Sequence, residues 1–357
     1  MIDFKNKPIF GMLHLSGENK SDRAEDELTI YEQEGVDGII IENYHGSIED
    51  IKKVLRWRDE IESDIKIGIN ILPNEYELAF AFADVYGLDF IQLDYVSGIY
   101  KSPGGKKTID IYNYDRFRKK YSHITVFGGV WPKYYEPVDN SVLDIDIKLG
   151  LERADAIVVT GAGTGKETPL DKIKLFRQHV GNNPLIIGAG LDAGNVAEQL
   201  EFADGAIVGS CFKLHKRTQE IVDRNLVREF MDEVKKVRTK NIENEREAES
   251  RSKYRQYMKV ITDKFIGSLS ESNNSGIPTY KELSNGKFEF GQFNSIDFVN
   301  EIELEKRIPI VEYSDKQTYE RRSIVQLAWE KEKNKMAVEY LQKNTITYEE
   351  WLIKSII

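Results

Sequence analysis

Cysteine is almost absent from this chain, which has a single one, Cys211, among 357 residues. One cysteine cannot form an internal disulfide, so a disulfide-stabilised domain is excluded. Its neighbours, Ser210 and Phe212, end an apolar segment. We therefore expect Cys211 to pack in a core rather than to act as a nucleophile.

Long apolar runs and an excess of positive charge are also absent. No stretch approaches the roughly 18 apolar residues that a membrane-spanning helix requires, and the first residues lack the basic start and apolar run of a secretory signal. The formal net charge is −10, which disfavours broad binding to nucleic acid or to anionic membranes. These absences predict a cytoplasmic protein with no nucleic-acid partner and no membrane insertion.

Several catalytic signatures are missing as well. The chain contains no H-E-x-x-H pair, no cysteine–histidine cluster, no G-x-S-x-G turn and no Walker A loop, so metal-centred and serine hydrolases lose support. The first turn after a predicted strand, residues 14–17, does not carry the G-x-G-x-x-G fingerprint. A doubly wound dinucleotide-binding sheet is therefore disfavoured.

Eight short apolar segments, most followed by an amphipathic stretch, occupy the first two thirds of the chain. They cover residues 8–15, 36–43, 66–72, 88–96, 123–130, 154–161, 184–191 and 203–212. Apolar strands that alternate with helices are typical of parallel sheets buried on both faces. The glycine-rich loops come late in the series, as in a barrel. The sequence predicts an α/β fold, a (β/α)₈ TIM barrel over residues 1–240.

Glycine-rich loops follow the sixth, seventh and eighth predicted strands. Glycine lets backbone N–H groups approach an anion closely, and the late loops of many barrels hold phosphate. The predicted phosphate-binding residues are Thr160, Gly161, Gly163, Thr164, Gly188, Gly190, Gly209, Ser210 and Lys213. Tight turns would explain the same glycines, and Lys213 would then be an exposed lysine.

Polar side chains stand at or near the carboxyl ends of the first five predicted strands, where barrel active sites lie. Glu42 ends an otherwise apolar run. Glu42 and Asp94 could act as a general acid and a general base. The predicted catalytic residues are Glu42, Asp94, His14 and Lys133, and the predicted substrate-binding residues are Asn43, Asn70 and Gln92. The alternatives are a structural salt bridge for Glu42, barrel packing for the two asparagines and a structural hydrogen bond for His14.

Two further chemistries are open at the same rim. Glu42, Asp94 and Asn70 could hold Mg²⁺ beside a phosphate, because this cation prefers oxygen ligands. Lys133 could form a Schiff base, a weaker option because it follows the fifth strand rather than lying in it. No other metal or cofactor is predicted.

The chain after Lys240 has a different composition. Residues 241–276 predict a charged helix and a polar linker, and residues 277–357 predict a small α+β or mainly helical accessory domain. Within it, Ser284-Asn285-Gly286 indicates a hairpin over residues 278–293, and residues 319–342 and 348–357 look helical. This accessory domain is a candidate site for self-association or for a protein partner.

Ordered motifs over residues 7–238 resemble the BtpA/SgcQ family of barrel proteins. They are GMLHL (11–15), GVDGIIIEN (35–43), GINIL (68–72), ADAIVVTG (154–161), TGKE (164–167), GAGL (188–191) with NV (195–196), and ADGAIVGS (203–210) with Lys213. The resemblance implies a barrel, and it implies a link either to photosystem I assembly or to sugar utilisation. After the fifth strand many members have an acid and a histidine, whereas this chain keeps only Lys133. The proline-rich turn after the first strand is reduced to Ser16-Gly17.

The leading functional hypothesis is an enzyme that acts on a phosphorylated small molecule, either a sugar phosphate or a nucleotide-like compound. Isomerase, lyase and glycosidic-bond hydrolase activities are all compatible with a rim of carboxylates. The alternative is a non-catalytic assembly or regulatory protein that uses the barrel as an anion or ligand sensor. Fold alone does not separate these two classes.

Overall fold

The fold is taken from a computed structural model, which describes residues 2–56, 65–102, 105–138 and 141–271, four short strands within residues 280–313, and residues 351 and 354. The chain divides into two compact units, Met1–Lys240 and Asn241–Ile357. In this described part of the chain, no helix has the length and apolar character needed to cross a membrane.

Eight parallel strands close into a barrel in the first unit. In chain order, the strands of this unit are β1 (Ile9–Leu13), β2 (Gly38–Glu42), β3 (Lys66–Asn70), β4 (Phe90–Leu93), β5 (Tyr100–Ser102), β6 (Gly105–Lys107), β7 (Thr125–Gly129), β8 (Glu136–Pro137), β9 (Ala156–Val159), β10 (Leu185–Ile187) and β11 (Gly205–Val208). The barrel order is β1-β2-β3-β4-β7-β9-β10-β11, and β11 pairs with β1. Each barrel strand lies inside one predicted segment, so the predicted TIM barrel is confirmed.

Helices follow the barrel strands in regular alternation. They are α1 (Lys20–Gln33), α2 (Ile48–Arg56), α3 (Tyr76–Val85), α4 (Ile111–Lys120), α5 (Leu143–Arg153), α6 (Leu170–Val180), α7 (Val196–Gln199) and α8 (Arg224–Glu271). Local side chains fix several starts. At α2, Ser47 Oγ accepts from Asp50 N at 3.2 Å while Asp50 Oδ2 accepts from Ser47 N at 2.8 Å, a reciprocal cap.

A repeated aspartate joins neighbouring strands at the amino-terminal end of the barrel. Each one stands directly before a barrel strand and accepts a backbone N–H from the strand before it in the barrel order. The four pairs are Asp37 with Ile9 N (2.7 Å), Asp89 with Ile67 N (3.0 Å), Asp155 with Val126 N (2.8 Å) and Asp204 with Leu185 N (2.9 Å). This end of a barrel serves stability rather than catalysis.

Aromatic side chains fill the lower interior of the barrel. Phe90 stacks on Phe127 with ring centroids 4.5 Å apart, and Phe10 contacts both rings at 5.0 Å. Phe4, in a short 3₁₀ helix before β1, packs on Phe127 at 5.9 Å and helps to cover this core from below. In the part of the chain that the structure describes, an open cavity lies toward the carboxyl ends of the strands.

The three other strands of the first unit form a small antiparallel sheet, in the order β6-β5-β8. Tyr100 of β5 pairs with Lys107 of β6 on one side and with Pro137 of β8 on the other. The sheet therefore connects the segment after β4 with the segment after β7.

The second unit contains two antiparallel strand pairs in its described part. β12 (Tyr280–Glu282) pairs with β13 (Phe288–Phe290), and β14 (Ile296–Phe298) pairs with β15 (Val311–Tyr313). The first pair matches the hairpin predicted over residues 278–293, whose turn lies outside the described residues. The predicted charged helix is part of α8. Apart from residues 351 and 354, which are helical, the two predicted helices of this unit also lie outside the described residues.

Candidate functional site

A cavity of about 440 Å³ opens at the carboxyl ends of the barrel strands. The predicted site residues that line it are His14, Glu42, Gln92, Asp94, Lys133, Thr160, Thr164, Gly188, Gly190, Gly209 and Ser210. Members of the predicted catalytic rim and of the predicted phosphate loops therefore share one cavity.

Glu42 and Asp94 are joined by a single amide group. Asn70 Nδ2 donates to Glu42 Oε1 at 2.9 Å and, at a longer 3.4 Å, to Asp94 Oδ1. The Tyr135 hydroxyl donates to Asp94 Oδ2 at 3.2 Å. Both oxygens of Asp94 thus accept hydrogen bonds, whereas Glu42 Oε2 accepts none from the described residues. The two carboxylates therefore differ in their freedom to meet a ligand.

Burial decides the protonation of this pair. It raises the pKa of Glu42 to about 7, an effect that the Lys133 ammonium opposes and the Asp94 charge reinforces. Burial also raises the pKa of Asp94, against the hydrogen bond from Asn70 and the charge of Lys133. A carboxyl group with a pKa near 7 can both give and accept a proton at neutral pH.

His14 is a buried imidazole beside this pair. Its Nε2 lies 4.0 Å from Glu42 Oε2, and burial, with the nearby charges of Lys213 and Lys133, holds the pKa of His14 well below its usual range. Its Nδ1 has no hydrogen-bond partner among the described residues. Gly209 leaves room for the ring, since a Cβ there would lie 2.8 Å from His14 Cε1. The ring is therefore neutral at neutral pH.

Lys133 stands in the loop after β7. Its backbone N–H donates to Thr160 Oγ1 at 2.7 Å, so the Thr160 hydroxyl holds this loop in place. The half-buried side chain of Lys133 lines the cavity, and it makes no direct ion pair with any residue that the structure describes. Its charge still influences both carboxylates.

The glycine-rich loops pack closely on one another. Gly190 has a left-handed φ of 72°, and a Cβ there would lie 2.2 Å from Lys166 O. Thr164 N donates to Tyr134 Oη at 2.9 Å. The Thr164 hydroxyl is buried and makes no hydrogen bond of normal geometry in the described part of the chain, although the hydroxyls of Tyr44 and Tyr134 lie near it. Gly190 is therefore needed for loop packing, while Thr164 still has a donor to offer.

The predicted residues that do not line the cavity are Asn43, Asn70, Gly161, Gly163 and Lys213. Asn43 accepts from Leu72 N at 2.8 Å and so links the ends of β2 and β3. Lys213 is buried, with Nζ 3.1 Å from both carboxylate oxygens of Glu27. It is therefore not an exposed lysine, and Glu27 compensates its charge.

The cavity also contains residues that sequence reasoning missed. Tyr44, Tyr134, Tyr135 and Lys107 line it. Tyr134 and Tyr135 follow Lys133 directly in the sequence, and this was the available signal. Cys211, expected in the core, is half-buried and lines the cavity because it lies in a 3₁₀ turn after β11. Burial raises the pKa of its thiol to about 11, which disfavours the thiolate at neutral pH.

The arrangement expected for Mg²⁺ differs from the one observed. Asn70 presents its amide nitrogen, not its oxygen, to Glu42 and Asp94. Among the residues that the structure describes, no group of three or more histidine, cysteine, aspartate or glutamate side chains is placed to hold a metal ion.

Comparisons with known proteins agree with this fold. The chain is 28% identical over 269 residues to an uncharacterized protein of Thermococcus kodakarensis, covering 68% of this chain and 100% of that protein. It is 27% identical over 251 residues to the Photosystem I biogenesis protein BtpA of Synechocystis, covering 64% and 88%. A designed cube-shaped protein cage resembles it with a TM-score of 0.50 and 13% identity, covering 76% of this chain and 87% of that one, a likeness of fold alone. The BtpA family profile matches residues 5–236, and the chain belongs to that family.

Proposed function

We propose that this protein is an enzyme that acts on a phosphorylated small molecule, either a sugar phosphate or a nucleotide-like compound. The observation that carries the proposal is Glu42, a cavity-lining carboxyl group with a pKa of about 7. A buried carboxyl with such a pKa is costly for stability and is typical of acid–base catalysts. A role in proton exchange at neutral pH would explain why the protein keeps a buried carboxyl group that lowers its stability.

The two carboxylates have different roles in this proposal. Asp94 accepts hydrogen bonds at both oxygens, from Asn70 and from Tyr135, so in this proposal it is held in place and does not carry the transferred proton. Glu42 keeps Oε2 free of hydrogen bonds from described residues and carries the transferred proton. His14 is neutral and lies beside Oε2, so it can donate a hydrogen bond to substrate without competing for that proton.

A single working acid–base group favours some reactions over others. Glycosidic cleavage by the usual route needs two carboxyl groups that both act on the bond or on water. An isomerase or a lyase can use one group that removes a proton from carbon. We therefore favour isomerase or lyase chemistry, with Lys133 close enough to stabilise negative charge that develops on the substrate.

The phosphate end of the substrate is assigned to the loops after β9, β10 and β11. Support comes from Thr164, whose hydroxyl makes no hydrogen bond of normal geometry to the described residues, and from Ser210; both line the cavity on this side. Binding energy from such a remote group can position the reacting carbon over Glu42. Thr164→Val and Ser210→Ala are each expected to weaken binding of phosphorylated ligands by about tenfold.

The decisive experiment has two steps. Thermal-shift screening of the full chain against sugar phosphates and nucleotides identifies ligands, and turnover assays then find which are converted. Glu42→Gln should lower turnover by at least about a hundredfold while the ligand still binds. Glu25→Gln, an exposed position on α1, is the matched control and should keep full activity. Full turnover in Glu42→Gln would contradict the role of Glu42.

A second candidate function has one observation in its favour. The Synechocystis relative, which matches over 88% of its length, is named for photosystem I biogenesis. A non-catalytic protein of that kind would use the cavity to sense a ligand. A phosphorylated compound that binds tightly and is never converted by the wild-type chain would favour this candidate.

A further inference from the structure

The small sheet at the barrel mouth holds two loops together. Tyr100 of β5 is buried, pairs with Lys107 and Pro137, and accepts a hydrogen bond from Trp131 N at 3.0 Å. This sheet is no part of the barrel wall. It fixes the hairpin after β4 beside the loop after β7, which carries Lys133.

Each of these two loops contributes one lysine to the cavity. Lys107 and Lys133 both line it, and both are half-buried. Neither makes an ion pair with a residue in the part of the chain that the structure describes. Shielding a charged ammonium group from water without a counter-charge is unfavourable, so Lys107 favours an anionic ligand group in the cavity that Lys133 also lines.

The carboxylates of the cavity do not fill this need for Lys107. Lys133 is among the main influences on Glu42 and Asp94, and Lys107 is not. Both acids are also held by Asn70. Lys107 therefore faces the cavity without a counter-charge from the residues that the structure describes.

We propose that Lys107 and Lys133 form a second anion subsite, so that the substrate carries a phosphate at one end and a second acidic group, a carboxylate or another phosphate, at the other. The inference rests on the proposed function, since it describes the other end of the same ligand. The barrel order separates the two subsites: the lysines follow β4 and β7, and the phosphate loops follow β9, β10 and β11. Glu42 then acts on the carbon chain between two anchored ends.

Calorimetric titration of the full chain at fixed ionic strength tests this subsite with matched pairs of ligands. One pair is ribulose 5-phosphate and ribulose 1,5-bisphosphate, and the other is glucitol 6-phosphate and 6-phosphogluconate. In the pair whose carbon skeleton fits the cavity, the ligand with the second acidic group should bind about tenfold more tightly than its partner. Lys107→Gln should remove most of that ratio, and Lys107→Glu should invert it. Lys106→Gln is the control, because Lys106 is the exposed neighbour on the same strand and does not line the cavity.

The outcomes separate this inference from the function on which it rests. If phosphorylated ligands bind but both ratios are near one, or if a ratio survives both Lys107 variants, the second subsite is wrong and the proposed function stands. If no phosphorylated compound binds at all, the proposed function fails and the inference fails with it. The preferred pair tells whether the second group is a carboxylate or a phosphate.

Discussion

Asn70 Nδ2 lies 2.9 Å from Glu42 Oε1, and the same nitrogen lies 3.4 Å from Asp94 Oδ1. The register of β2 and β3 pairs Glu42 directly with Asn70, so the parallel sheet itself creates the first contact. Asn70 is 1% exposed and does not line the cavity. We therefore interpret it as a positioning residue that spaces two acids, rather than as a substrate ligand.

The hydrogen bond from Asn70 should be visible in the titration of Glu42. It opposes the effect of burial, so Asn70→Ala is expected to raise the pKa of Glu42 above its present value of about 7. Carbon-13 NMR of labelled glutamate carboxyls, with Glu42→Gln to assign the signal, measures this directly.

Asn43→Ala provides the matched control for that titration. Asn43 ends the same strand region but bonds the backbone of Leu72, so its removal should lower stability and leave the Glu42 titration in place. An unchanged or lowered pKa in Asn70→Ala would contradict the positioning role.

The raised pKa of Glu42 should also make stability depend on pH. The ordinary value is 4.5 and the folded value is about 7, so between these values the unfolded chain ionises while the folded chain keeps its proton. The contribution of Glu42 to stability is then fully present below pH 4.5 and is lost as pH rises to 7. The loss amounts to about 3 kcal/mol.

Glu42→Gln removes this loss, because glutamine does not ionise. Urea unfolding at several pH values should show the variant gaining stability over the wild-type protein from pH 4.5 to 7, with a constant difference above that range. Parallel stability curves for the two proteins would mean that Glu42 does not titrate as proposed.

The aspartates at the lower end of the barrel should affect stability without affecting ligand binding. Asp204 accepts from Leu185 N at 2.9 Å and pairs with Arg177 at 2.5 Å. Asp204→Ala leaves a partly buried backbone N–H without its partner and should cost about 1–2 kcal/mol in unfolding free energy. Asp204→Asn keeps an acceptor oxygen and should cost less. If Asp204→Ala lowered ligand affinity as much as it lowered stability, the separation of a stabilising lower end of the barrel from a ligand-binding upper end would be contradicted.

The sequence was informative where a feature depends on neighbouring residues. The eight apolar segments predicted the barrel, and parallel topology then brought Glu42 and Asp94 to one rim, because their strands end at the same edge. The aspartates Asp37, Asp89, Asp155 and Asp204 each directly precede a barrel strand. Their regular placement was a readable signal for the lower end of the barrel.

Features that depend on contacts between distant segments could not be predicted in this way. Lys213 meets Glu27 across 186 positions of the chain, and no local pattern indicates that an early helix will neutralise it. The role of Lys107 depends on a hairpin that folds back over the mouth and pairs with β8 through β5. Asn70 was expected to contact substrate. It ends β3, which lies between β2 and β4, and its amide group donates to Glu42 and Asp94 instead.

Gly209 packs directly against the His14 ring. A methyl group at position 209 would lie 2.8 Å from His14 Cε1, too close for the ring to stay in place. Gly209→Ala should therefore lower the unfolding free energy by about 1–3 kcal/mol. In a His14→Ala background the ring is gone, so the same change should cost much less. Any backbone cost of alanine at this position is equal in both backgrounds and cancels in the double-mutant cycle. Urea unfolding of the four proteins measures the coupling, and strictly additive effects would show that Gly209 is not what makes room for the imidazole.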